Sequence, residues 1–172
     1  YMEEALYSKY GFFNNEKVRS KKSGDFLTSP EVSEYFGKII NNWIQKSNLD
    51  LNIIEFGSGT GSLIEQIKTK NKFAVEKSST ARTELSQKNI QNASNLEELT
   101  FKNSDLVFGN EVLDNIPCSI AIYKDGKWQE KIVSFNDGIF LYDFVDARTK
   151  TVEWIEWNRI KACLLYTSDA AD

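Results

Sequence analysis

The sequence has no histidine, only two cysteines, one methionine and two prolines in its 172 residues. Without histidine there is no imidazole general base and no imidazole-ligated metal. Cys118 and Cys163 stand alone, with no metal-type spacing, and read as incidental thiols of a reducing compartment, so no metal site is expected. No stretch approaches the roughly 18 consecutive apolar residues of a membrane helix, so membrane insertion is not expected. Positive charge is also short. Lys and Arg total 21 against 25 Asp and Glu, a formal charge of -4 and a pI near 5.1. Proteins that coat nucleic acid are usually strongly basic, so no nucleic-acid partner is expected. Internal repeats and low-complexity linkers are absent.

What remains is ordinary globular material, 41% hydrophobic and 27% charged. The length suits one domain, or a piece of one, able to bury a core without staples. Residue 1 falls inside a helix-like segment, so an upstream portion is expected. Residues 163–172, CLLYTSDAAD, read like a translated sequencing-library adapter and are expected to be non-native.

Along the chain, residues 1–7 have helical apolar spacing, stopped at Gly11 before Phe12 and Phe13. Residues 14–23 are polar and basic, a loop. Ser29-Pro30-Glu31 predicts a helix start, with Ser at the N-cap and Pro at the first helical position. That helix is expected to reach about residue 46, burying Val32, Tyr35, Phe36, Ile39, Ile40 and Trp43. Residues 51–56 (LNIIEF) form an apolar run ending at glycine, the mark of a buried parallel strand. A helix over 62–69, a strand over 73–76, a helix over 80–88, a strand over 90–93, a helical turn at 96–99 and a strand over 106–109 follow. Such alternation predicts a parallel sheet with right-handed crossovers. After Pro117 the pattern changes. Strands at 120–123 and 128–135 flank Lys124-Asp125-Gly126-Lys127, a strong hairpin signal, and Asn136-Asp137-Gly138 leads into a further strand at 139–145.

Four segments carry candidate chemistry. Glu55-Phe56-Gly57-Ser58-Gly59-Thr60-Gly61 joins a strand to a helix. Its glycines allow a sharp turn and close approach to a ligand, and the first helix amides face that ligand. A nicotinamide fingerprint places its third small residue one position later, at Ser62. The tighter spacing here, with an acid two residues before the first glycine, fits the class I methyltransferase pattern; the alternative is an ordinary tight turn. Glu76 ends the second strand, where a carboxylate can accept bonds from both ribose hydroxyls, or be a surface acid. Asn110-Glu111-Val112-Leu113-Asp114 follows another strand. There Glu111 and Asp114 would share a face if helical and could clamp a guanidinium, or serve as cap and surface acid. Residues 24–31 (GDFLTSPE) read by composition as loop plus helix cap.

YMEEALY, GFF, GDFLTSPEVSEYFG, IIEFGSGTGSL, VEKS and GNEVLDNIP occur in the order found in the MidA-like methyltransferases. The chain resembles that family, which includes the mitochondrial complex I assembly arginine methyltransferase, over residues 1–133. The resemblance implies an α/β, Rossmann-like class I methyltransferase fold with an incomplete parallel sheet, an N-terminal helical lid and an appended antiparallel hairpin unit. It implies S-adenosyl-L-methionine as cofactor, held by Glu55, Gly57, Ser58, Gly59, Thr60, Gly61 and Glu76, with Thr28, Ser29, Pro30 and Glu31 as a lid beside it. It implies Asn110, Glu111 and Asp114 at the acceptor, orienting the guanidinium that attacks the sulfonium methyl. The expected acceptor is an arginine of a protein resembling a complex I subunit. The compartment would be the cytoplasm in a bacterium or the mitochondrial matrix in a eukaryote. Two departures from the family pattern sit near the acceptor: no proline precedes Gly11-Phe12-Phe13, and Asn115-Ile116-Pro117 stands where Ala-Leu-Pro is usual. The expected parts are 1–48 (helical lid), 49–117 (cofactor-binding core), 118–162 (hairpin insertion) and 163–172 (non-native tail). Rival readings are an assembly factor that binds the donor and docks its partner, a small-molecule methyltransferase and, less favoured by Ser62, a nicotinamide oxidoreductase. Oligomeric state is left open. Alone, this stretch is expected to have little activity, because a parallel sheet lacking strands exposes an edge.

Overall fold

A computed structural model describes residues 1–14, 28–47 and 50–158. The expected loop at 15–23, the GDFL stretch at 24–27 and the adapter-like tail lie outside the described residues, except for Asn14. The chain divides into two compact units, one spanning Met2–Ile116 and the other running from Pro117 onward.

The first unit is built on four parallel strands in the order β3-β2-β1-β4. These are β1 (Asn52–Phe56), β2 (Lys72–Val75), β3 (Gln91–Ala93) and β4 (Asp105–Gly109). Ile54 pairs with Phe73 on one side and Val107 on the other. The apolar run of β1 suits a strand covered on both faces, and Ile53, Ile54 and Glu55 are all buried. Helices α4 (Ser62–Gln66) and α5 (Ser79–Gln87) join the strands. Ile64, Ala74, Leu85 and Ile90 form one apolar cluster. Ile53, Leu63 and Ile67 form another, backed by Phe36, Ile40, Ile44, Leu51, Leu106 and Phe108.

The N-terminal part holds α1 (Met2–Tyr7), α2 (Ser29–Val32) and α3 (Tyr35–Ser47). Here the single helix expected from Ser29 to about residue 46 is two helices. Ser33 is extended (φ −153, ψ 138), and its hydroxyl accepts the Tyr35 amide proton at 3.1 Å, which starts a new helix. The N-cap is Thr28 rather than Ser29. The buried stripe is also rotated. Phe36 and Ile40 pack inward, but Val32, Tyr35, Ile39 and Trp43 are exposed, and Gly37 and Asn41 are buried instead. Asn41 decides this: its Nδ2 donates to Gln66 O (2.9 Å) and its Oδ1 accepts from Lys68 N (2.7 Å). A side chain at Gly37 would collide with Gln66, so this row of α3 lies directly on the end of α4. Helix α4 is shorter than the expected 62–69. Ile67 is extended, and Lys72 Nζ collects the carbonyls of Ile64, Glu65 and Ile67 that a longer helix would have used.

The second unit is antiparallel, in the order β5-β6-β7: β5 (Ala121–Lys124), β6 (Lys127–Asn136) and β7 (Ile139–Asp146). Both connections are two-residue turns with positive φ at each central residue, Asp125-Gly126 (53, 80) and Asp137-Gly138 (48, 82), the mirror-image turn that matches strand twist. A final helix, α6 (Thr149–Trp157), follows and was not expected from the sequence. Buried Glu130 anchors it, accepting from Arg148 Nε at 2.9 Å and from the Thr151 hydroxyl.

Candidate functional site

Parallel strands all end on the same side of the sheet, so the turns after β1, β2 and β4 converge. The turn after β1 is tied to its neighbour by Gly57 N donating to Val75 O at 2.8 Å. Gly61 precedes α4 at φ +84, where a Cβ would sit 2.7 Å from Leu85 Cδ2; only glycine fits. Gly59, at φ +54, has no atom within 4 Å of where its Cβ would be, so open space meets bare backbone there.

Two buried acids hold this turn. Glu76 Oε2 accepts from Gly59 N at 2.8 Å, and Oε1 from Ser78 N at 2.7 Å. Burial pushes the Glu76 carboxyl above its ordinary value, opposed by those two amides and by the charge of Arg82. Glu55 Oε2 accepts from Ile64 N at 3.0 Å, satisfying an amide of the first turn of α4. Burial pushes its carboxyl up to about 8, so it is mostly neutral at pH 7. Beside it the buried Thr60 hydroxyl has no hydrogen-bond partner among the described residues.

The two segments flanking the cleft meet through carboxylates. Glu31 Oε2 accepts from Thr28 N (2.9 Å), and its Oε1 from Ser62 Oγ (3.2 Å), so it links the start of α2 to the start of α4. Glu111 Oε1 accepts from Ser29 N (3.2 Å), Ser29 Oγ (3.1 Å) and Asn110 Nδ2 (3.3 Å). The Ser29 amide is the first cause that holds the Glu111 carboxyl below its usual value. Glu111 takes this position with φ +53, a left-handed conformation uncommon for a non-glycine residue.

One cleft, with about 890 Å³ of empty space partly open to solvent, is lined by Thr28, Pro30, Glu31, Glu55, Gly57, Ser58, Gly59, Thr60, Glu76, Asn110 and Glu111. Gly61 lies behind the lining, Ser29 turns to Glu111, and Asp114 is exposed outside it, accepting from Asn115 Nδ2. Glu111 and Asp114 do not share a helical face, because the short 3₁₀ turn begins only at Leu113. Tyr7, Phe13, Ser78, Val112 and Asn115 also line the cleft; none was assigned a site role from the sequence, although Phe13 and Asn115 stood in the two departures from the family pattern and Val112 inside the motif after β4. For Tyr7 and Phe13 the signal was the YMEEALY and GFF pair, which helical spacing alone reads as a helix and its stop. Four glutamates and no Lys or Arg appear among the described lining residues.

A family model described as "Putative S-adenosyl-L-methionine-dependent methyltransferase" matches residues 36–162. The chain is 33% identical over 81 residues to the mitochondrial protein arginine methyltransferase NDUFAF7 homolog of Drosophila melanogaster, an alignment covering 42% of this chain and 18% of the relative. It is 35% identical over 74 residues to the mitochondrial protein arginine methyltransferase NDUFAF7 of Bos taurus, covering 39% of this chain and 17% of the relative. The NDUFAF7 protein of Danio rerio matches at the same identity, length and coverage. The chain thus spans less than a fifth of the length of these curated relatives.

Proposed function

The chain belongs to the family of S-adenosyl-L-methionine-dependent methyltransferases, and from that premise we propose that its cleft holds S-adenosyl-L-methionine and that the longer protein methylates an arginine side chain of a protein acceptor. The observation that carries the reading is the bond from Gly59 N to Glu76, which joins the glycine turn and the second-strand acid into one wall. The lining suits this donor. The Glu76 carboxyl keeps accepting capacity for ribose hydroxyls beyond the backbone amides it already accepts from. Gly59 leaves room against the backbone, and the Thr60 hydroxyl awaits a partner. Even with Glu55 mostly neutral, a lining that also carries Glu31, Glu76 and Glu111 and no described cation favours a positively charged ligand.

The donor supplies an already activated methyl group, so the chain's own work is to bind, orient and exclude water. Glu55, Gly57, Ser58, Gly59, Thr60 and Gly61 shape the turn, Glu76 holds the sugar, and Thr28, Ser29, Pro30 and Glu31 cover the cleft. Asn110 and Glu111 face the acceptor, with the Asp114 charge beside them. The names of the relatives support arginine as the acceptor side chain and a mitochondrial compartment for a eukaryotic source; a bacterial source would place it in the cytoplasm. A complex I subunit is the acceptor the family resemblance favours.

Calorimetry on the full-length protein tests the reading. Binding of the donor or its demethylated product is expected, and loss of about tenfold or more in affinity for Glu76→Ala, since a bond to a charged group is worth roughly 1.5–3 kcal/mol. No binding by the wild-type protein ends the proposal. Mass spectrometry of partner proteins with and without the gene should show a methyl-sized increment on arginine.

A further inference from the structure

We propose that Tyr7 and Phe13 form a purine subsite, making the segment from α1 to Asn14 a wall of the cleft that recognises the nucleoside half of the donor; this rests on the adenosyl-donor reading above. No residue of helix α1 is fully buried and only Met2, Leu6 and Tyr7 are half-buried, so core packing alone does not fix its position. It is held instead by bonds to the rim of the cleft. Phe13 O accepts from Ser78 Oγ at 2.5 Å, and Asn14 Oδ1 accepts from Ser79 N at 2.9 Å. The Tyr7 hydroxyl donates to Asn115 O at 3.0 Å, and Lys77 pairs with Glu3 at 2.5 Å. The segment therefore spans the turns that follow β2 and β4.

These bonds bring two rings into the lining. Tyr7 and Phe13 stack with centroids 5.5 Å apart and planes 24° from parallel. Among the described residues they are the only aromatic side chains that line the cleft. Ser78, Thr80 and Ala81, at the start of α5, line it with them, and Glu76 is close enough to add to the rise of the Tyr7 hydroxyl to about 12, after burial. The carboxylates of Glu31 and Glu111 come from α2 and the turn after β4. The cleft thus offers two chemistries. A flat, uncharged base gains from aromatic surface, whereas a cation gains from carboxylates. In a nucleoside the base is bonded to the ribose, so a sugar held by Glu76 puts its base within reach of the rings beside that acid.

The test uses the full-length protein, calorimetry, and three probes: S-adenosyl-L-methionine, 5′-methylthioadenosine and methionine. Phe13→Ala is expected to weaken the first two by the same factor, about tenfold or more, as loss of base–aromatic stacking does. Phe13→Leu, which keeps apolar volume, should still weaken both several-fold, and methionine affinity should not move. Circular dichroism checks that both variants fold. Unchanged 5′-methylthioadenosine affinity in folded Phe13 variants, even with a raised acceptor KM, overturns the subsite while leaving the donor reading intact. If the wild-type protein binds neither adenosyl probe, both fall together.

Discussion

The two units place their apolar residues in opposite ways. In the parallel unit Ile53, Ile64, Ile67 and Leu85 are at most 1% exposed, and the core forms around them. From Pro117 onward, among the described residues, only Glu130 and Ile155 are buried, and every residue of β7 is exposed. The difference follows from how each sheet closes. An antiparallel meander needs only adjacent strands and two-residue turns, so it can form with little shared interior. Parallel strands need crossovers, and those pack helices onto the sheet and bury it. Crossovers also bring all strand ends to one side, so among the described residues the polar side chains of the first unit gather into a cleft.

That contrast can be broken most directly in the core. Ile64→Ala should cost about 2–5 kcal/mol in chemical denaturation, because it opens a cavity in a closed cluster; a loss no larger than that of a surface change would mean the parallel unit is not packed as described. The next largest effect is a pH dependence confined to this unit. Unfolded, the Glu55 carboxyl ionises near 4.5; folded, only near 8. Its neutral form therefore adds no penalty below about pH 4, and the folded state loses stability as pH rises toward 8. Glu55→Gln can still accept from Ile64 N but cannot ionise. Its advantage over wild type should grow from pH 4.5 to 8 by a few kcal/mol, and a difference flat across that range would refute the neutral assignment.

Smaller effects are expected in the antiparallel unit. Arg148→Ala removes the charged partner of Glu130, which keeps the Thr151 hydroxyl and the backbone amide of residue 148; because Arg148 is 70% exposed, the cost should be about 1 kcal/mol or less and should fall with added salt. Leu141→Thr, on exposed β7, should change stability by no more than about 0.5 kcal/mol. A loss above about 2 kcal/mol at Leu141 would show that β7 is covered in solution, and the contrast between the units would need redrawing.

Much of the fold was legible because its signals are local. Residues 51–56 are too uniformly apolar for an exposed strand and end at glycine. Asp125-Gly126 and Asp137-Gly138 carry their own backbone preference. The order of strands and helices before Pro117 dictates a parallel sheet without reference to any contact. The glycine turn and Glu76 were likewise visible, since sharp turns need glycine and strand ends are where ligands lie in such sheets. Other features had no local signal. The face of α3 that turns inward was misread because Tyr35, Ile39 and Trp43 are as apolar as Phe36 and Ile40, and the choice rests with Asn41 and its partners on α4. The break at Ser33 depends on one hydroxyl. Helix α6 is anchored by Glu130, which lies on a strand.

By itself, then, the sequence determined the succession of strands, the hairpin turns and the positions of the acids, because each depends on residues within a few places of one another. Only the tertiary structure decided that Glu111 would hold Ser29, that Asp114 would stay outside the cleft, and that Tyr7 and Phe13 would enter it. The placements of Glu111, Tyr7 and Phe13 join residues far apart in the chain, and a hydrogen bond between distant groups exists only once the sheet has brought their turns together.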